Sequence, residues 1–156
     1  MKRFAVGLTA SLMVAGPACA APSPMVRAVQ AAAGLAPPAE GVARFTVIQP
    51  EGRGATIFEA ERDARGVRRT IIDLMPAPGG AWSVGMREAR PLAAETFDYF
   101  RGLIDAALRA ETPAEPCAAG PNYYAEHGAN GVAGCGAEGG VPAIARAMGL
   151  ADAVTP

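Results

Sequence analysis

Three groups of side chains in this chain have types and spacings suited to chemistry. Four arginines, Arg62, Arg65, Arg68 and Arg69, crowd one short stretch. Guanidinium forks gathered at a turn would clamp a carboxylate or a phosphate. Glu59, Glu61 and Asp63 stand in the same stretch, so the plainer expectation is a solvated edge of surface ion pairs worth little. The second group is Tyr123, Tyr124, Glu126 and His127, lying between Cys117 and Cys135. Tyrosine gives rigid amphipathic contact area, which makes Tyr123, Tyr124 and His127, together with Arg65, Arg68 and Arg69, the candidate binding surface. Its plainer explanation is internal packing. The third group is carboxylates: Glu88, Glu95, Asp98 and Asp105, then Glu126 or Glu138. Two carboxyl groups roughly 5–10 Å apart suffice for glycoside hydrolysis. Acidic residues at helical spacing, however, ordinarily line a solvated face.

What the chain lacks narrows the chemistry further. His127 is its only histidine, so a zinc site with two or three His ligands cannot be built. Lys2 is its only lysine, and beyond residue 20 the serines are Ser23 and Ser83, neither in a Gly-x-Ser-x-Gly setting. The glycines of 128–140 carry neither a P-loop lysine nor dinucleotide-binding spacing. No catalytic residue, metal ligand or cofactor is therefore assigned. A set of Cys117, His127 and Cys135 has spacings of ten and eight residues, unlike compact zinc sites.

The first twenty residues set the compartment. Lys2 and Arg3 precede an apolar run from Phe4 to Ala15, and Gly16-Pro17-Ala18-Cys19-Ala20 ends in a small-x-small cleavage pattern. This order is that of a secretory signal peptide, and the run is too short for a lasting membrane span. A lipid-anchored Cys19 is the alternative, disfavoured by Gly16 where a lipobox usually has leucine. The expected location is periplasmic or secreted. Removing Lys2 and Arg3 leaves 12 basic against 15 acidic residues, a formal charge of −3 that argues against nucleic acid as partner. In an oxidising compartment Cys117 and Cys135 are expected to form a disulfide.

Residues 21–41 read as an Ala/Pro-rich lead-in with one short helix near 25–33. Residues 42–150 read as a single α+β domain, and 151–156 as a frayed end. Short β-branched and aromatic runs at 44–49, 55–63, 67–76 and 81–89, split by Pro/Gly-rich turns, predict a four-stranded antiparallel meander. Phe45 with Val47, Ile57 or Phe58, Ile72 with Leu74, and Trp82, Val84 and Met86 are assigned to its apolar face. Ile71 and Ile72 cannot share a face, so the outer face is expected to be partly covered. Phe97, Phe100 and Ile104 place an amphipathic helix between about 92 and 110, packed on that meander. A disulfide-stapled loop or small hairpin follows, with 122–127 and 132–135 as its strands and Ala129-Asn130-Gly131 as its turn, or with 122–127 as an extra edge strand of the sheet. A short helix over 141–150 closes the chain.

Function then divides between two classes. A non-catalytic binding or inhibitor-like module of the cell envelope would contact an envelope protein or a cell-wall component. The alternative is a small hydrolase of an envelope polymer working through paired carboxylates, which requires two of them to converge in a pocket.

Overall fold

Ser23 and Pro24 start the first helix: the Ser23 hydroxyl accepts the Val26 amide at 3.2 Å, and proline at the first helical position gives up a donor that would be unpaired anyway. In the computed structural model, which describes residues 21–109 and 122–135, helix α1 spans Pro24–Ala32. Gly34, at φ 69°, ends it in the left-handed region that glycine tolerates. Four strands follow, β1 (Val42–Ile48), β2 (Ala55–Asp63), β3 (Gly66–Ala77) and β4 (Ala81–Pro91). Helix α2 (Ala94–Arg109) leads to β5 (Asn122–His127) and β6 (Asn130–Cys135).

The sheet has six strands in the order β4-β3-β2-β1-β5-β6, and every neighbouring pair is antiparallel. This corrects the expected four-stranded meander. The strands and turns of 42–91 lie where the sequence pattern puts them, but β1 is not an edge. Its free side pairs with β5 from Ala43↔His127 to Ile48↔Asn122, so the hairpin extends the sheet by two strands. An apolar β1 left at an edge would have offered its open backbone to other chains. No disulfide is found among the described residues, and the expected Cys117–Cys135 staple involves Cys117, which lies outside them; within them the hairpin is held by its ladder to β1. Cys117, the segment 1–20, Glu138 and the helix expected over 141–150 lie outside the described residues.

Both faces of the sheet are covered, by a different helix on each. Phe45↔Phe58 and Phe58↔Ile71 place these residues in one row beneath α2. Phe97, Phe100 and Ile104 of α2 pack there with Val47 and Tyr123. Phe58 meets Phe100 edge-on at 5.2 Å, a favoured quadrupole arrangement. Ile57↔Ile72 and Ala55↔Leu74 form rows on the opposite face, closed by Val26 and Val29 of α1 and by Ala33 at its end. Phe45 and Ile72 therefore bury on opposite faces, contrary to the single apolar face assigned from the sequence. Register decides this, because one residue of slip turns a whole strand over. Adjacent Ile71 and Ile72 use both layers, as their neighbouring positions demand. Met75, Val84 and Met86 remain exposed around the register shift at Asp73/Leu74. No helix among the described residues is long and apolar enough to cross a membrane.

Candidate functional site

Arg44 lies on the α1 face of the sheet's interior strand β1, and cross-strand pairing sets Glu59 of β2 on one side of it and Glu126 of β5 on the other. Its side chain is 4% exposed. Burial of this kind leaves a guanidinium no water, so all its bonds must come from protein. Nε and Nη2 donate to Glu59 Oε2 at 2.8 and 2.6 Å. Nη1 donates to Glu126 Oε1 at 3.0 Å, and Nη2 also donates to the Ala36 carbonyl at 2.9 Å. From α1, the buried Gln30 amide donates to Glu126 Oε1 at 2.8 Å and to Thr46 Oγ1 at 3.2 Å. A helix, the chain after it and three strands thus converge on one polar cluster in an otherwise apolar layer.

Above the cluster opens a cleft of about 490 Å³. Its walls are Pro22, Arg27 and Ala31 near α1, Leu35, Pro37 and Pro38 after it, and Tyr124 and Asn130 from the hairpin. Gln30 and Glu126 belong to both the cluster and the cleft. The volume falls within the range that holds small ligands, and the combination of apolar walls with few polar groups is typical of such sites. Among the described residues no group of three metal-ligating side chains occurs.

Burial pushes the Glu126 carboxyl above its ordinary value of 4.5, with Arg44 and Gln30 opposing the shift and Glu59 adding to it. A carboxyl raised by folding favours the native state in its protonated form. That contribution is complete below the ordinary range and is lost as pH rises through the folded value. Urea midpoints of the wild type and Glu126→Gln, measured from pH 4 toward neutrality, are therefore expected to diverge. The wild type should lose stability relative to the variant as pH rises; a constant difference would show that Glu126 titrates as it does in the unfolded chain.

The residues singled out from the sequence do not converge. Tyr123 and Tyr124 are neighbours on β5, so they point to opposite faces, and helices cover both: the rings are only 2% and 4% exposed. Tyr123 stacks on Phe45 at 5.8 Å, while Tyr124 joins the α1 layer and the cleft wall. Neither ring is presented outward as a contact surface. His127 bridges Asp105 of α2 at 3.2 Å and the Glu40 carbonyl at 2.9 Å. Arg65 and Arg68 line a separate shallow recess of about 280 Å³ with Glu61, Asp63 and Arg90. Arg68 binds Glu61 at 2.5 Å, and Arg69, one residue along β3, projects to the other face. Arg62 is drawn to α2, where it lies 4.5 Å from the Phe97 ring centroid and binds Asp98 through both carboxyl oxygens. Arg62 holds Asp98 below the ordinary carboxylate range.

No protein-family model, curated protein or solved structure matches the chain.

Of the candidate carboxylates, Asp98 and Asp105 are engaged in these helix contacts, and Glu88 binds Arg90 on its own strand. Among the described candidates, only Glu126 lines the cleft. Arg44, Glu59, Gln30 and Thr46 complete its surroundings, and sequence reasoning did not select them as a site. The one available signal was an arginine inside the strand run Ala43-Arg44-Phe45-Thr46-Val47, flanked by residues that belong in a core.

Proposed function

We propose that this protein is an exported, non-catalytic binding module of the cell envelope that seats a cell-wall ligand in the cleft between α1 and the β5–β6 hairpin. The observation that carries this reading is the position of Arg44 between Glu59 and Glu126 beneath an open cleft. Glycoside hydrolysis needs one carboxyl as acid and another as base or nucleophile, with the scissile bond between them. Here a guanidinium occupies that middle position and bonds to both groups. Glu59 is committed through two bonds to it and is not part of the cleft lining. The cleft retains the features of a binding site: apolar walls, rigid prolines and a buried carboxylate beside an amide. Export rests on the order of residues 1–20.

Purified cell-wall sacculi discriminate binding from hydrolysis. Saturable co-sedimentation without time-dependent release of soluble fragments is the expected result. Ala31→Trp, which places an indole at the cleft wall on an exposed helix position, should reduce co-sedimentation. Fragment release abolished by Glu126→Gln would establish the hydrolase instead, and absence of co-sedimentation would overturn the cell-wall reading.

A further inference from the structure

We propose that the cleft takes a short peptide with free termini, its ammonium group on Glu126 and its carboxylate on Arg27. This ligand class rests on the reading of the cleft as a binding seat. The floor sets one requirement. Two acidic side chains, Glu59 and Glu126, share one guanidinium, so the buried cluster holds one more acidic group than it holds cations. An anion would meet that excess, and a wholly apolar ligand would cover Glu126 without supplying a hydrogen bond. A cationic donor satisfies it.

The wall sets the second requirement. Arg27 is exposed, lines the cleft and makes no ion pair among the described residues. It precedes Gln30 by three residues on α1, so the two side chains are neighbours about one helical turn apart. Gln30 in turn bonds Glu126 at 2.8 Å. Arg27 and Glu126 therefore both line the cleft and are linked through Gln30. Extended peptide covers roughly 3.3–3.6 Å per residue, so a ligand of two or three residues is of the size that a cleft of about 490 Å³ takes. Leu35, Pro37, Pro38 and Tyr124 line the same cleft and offer apolar contact for small side chains. A lone amine would use only the floor, whereas a zwitterionic peptide uses both charged groups and the apolar wall.

Trialanine, N-acetyl-trialanine and trialanine amide, titrated by calorimetry into the exported protein at neutral pH, test this assignment. Trialanine should bind best. Acetylation removes the ammonium charge and amidation the carboxylate, and each should weaken binding by about tenfold, the loss of one charge-assisted contact. Arg27→Ala should erase the difference between trialanine and its amide while leaving the penalty for acetylation. Glu126→Gln should do the converse, and the blocked peptides report the same preference without any change to the fold. Equal binding of all three peptides, or no binding of trialanine, overturns the peptide assignment. If sacculi still co-sediment and Ala31→Trp still blocks them, the cleft reading stands without it. If Ala31→Trp affects neither sacculi nor peptide, the cleft itself is the wrong site.

Discussion

Replacing Arg44 by methionine is expected to cost about 3–5 kcal/mol of folding stability at neutral pH, the range for breaking a buried ion pair from one side. Methionine fills much of the volume, so the loss is electrostatic rather than a cavity effect. Glu126 would lose one of the two donors to its Oε1, and Glu59 both of the donors to its Oε2. Two carboxyl groups would then share a dry layer without a cation. Glu126, already raised by burial, would rise further, so the deficit should shrink as pH falls and proton uptake neutralises it. The triple variant Arg44→Met, Glu59→Gln, Glu126→Gln removes every charge of the cluster. It should recover a large part of what the single variant loses, because the penalty comes from the stranded carboxylates. Urea unfolding of the wild type and both variants at two pH values checks all of this. A loss below about 1 kcal/mol for Arg44→Met would place the cluster with ordinary solvated ion pairs instead.

The same cluster shows why part of this protein is readable from its sequence and part is not. Strands β1 to β4 announce themselves through period-two patterns and the turns Pro50-Glu51-Gly52, Ala64-Arg65-Gly66 and Pro78-Gly79-Gly80. Helix α2 does so through Phe97, Phe100 and Ile104. These are local signals. The pairing of β5 with β1 is not local, and nothing in Asn122–His127 names its partner. Once that pairing is known, Arg44 falls between residues 15 and 82 positions away, and the site exists. The opposite burial of Phe45 and Ile72 likewise follows from register, which the composition of either strand leaves open. The two tyrosines suggested an exposed surface because the sequence made α2 the only prominent cover for the sheet. Alpha1, with Val26 and Val29 and with Ala33 at its end, supplies the second cover and buries Tyr124.

Gly131 carries the remaining large prediction, and its role differs from the one its sequence setting suggests. Asn-Gly ordinarily marks a tight turn. Here the two-residue loop is Gly128-Ala129, with Gly128 at φ 56°, and Asn130-Gly131 is already strand, with Gly131 opposite Glu126. The requirement for glycine comes from Tyr124, whose ring crosses the space a side chain would fill. A Cβ on Gly131 would stand 2.0 Å from the phenol oxygen and 2.5 Å from Cζ. Those distances are far inside contact, so Gly131→Ala must displace the ring from a layer shared with Val26, Val29 and Ile48. Overpacking of this sort costs roughly 1–3 kcal/mol. The displacement should also alter the cleft, since Tyr124 is part of its wall. Pairing Gly131→Ala with Tyr124→Ala separates this account from a generic strand effect: the two losses should be strongly sub-additive, because the second substitution removes the ring that the first one pushes. Urea midpoints for both single variants and the double variant measure that coupling. Additive losses would mean that the cost of Gly131→Ala arises in the strand itself and not from the Tyr124 ring.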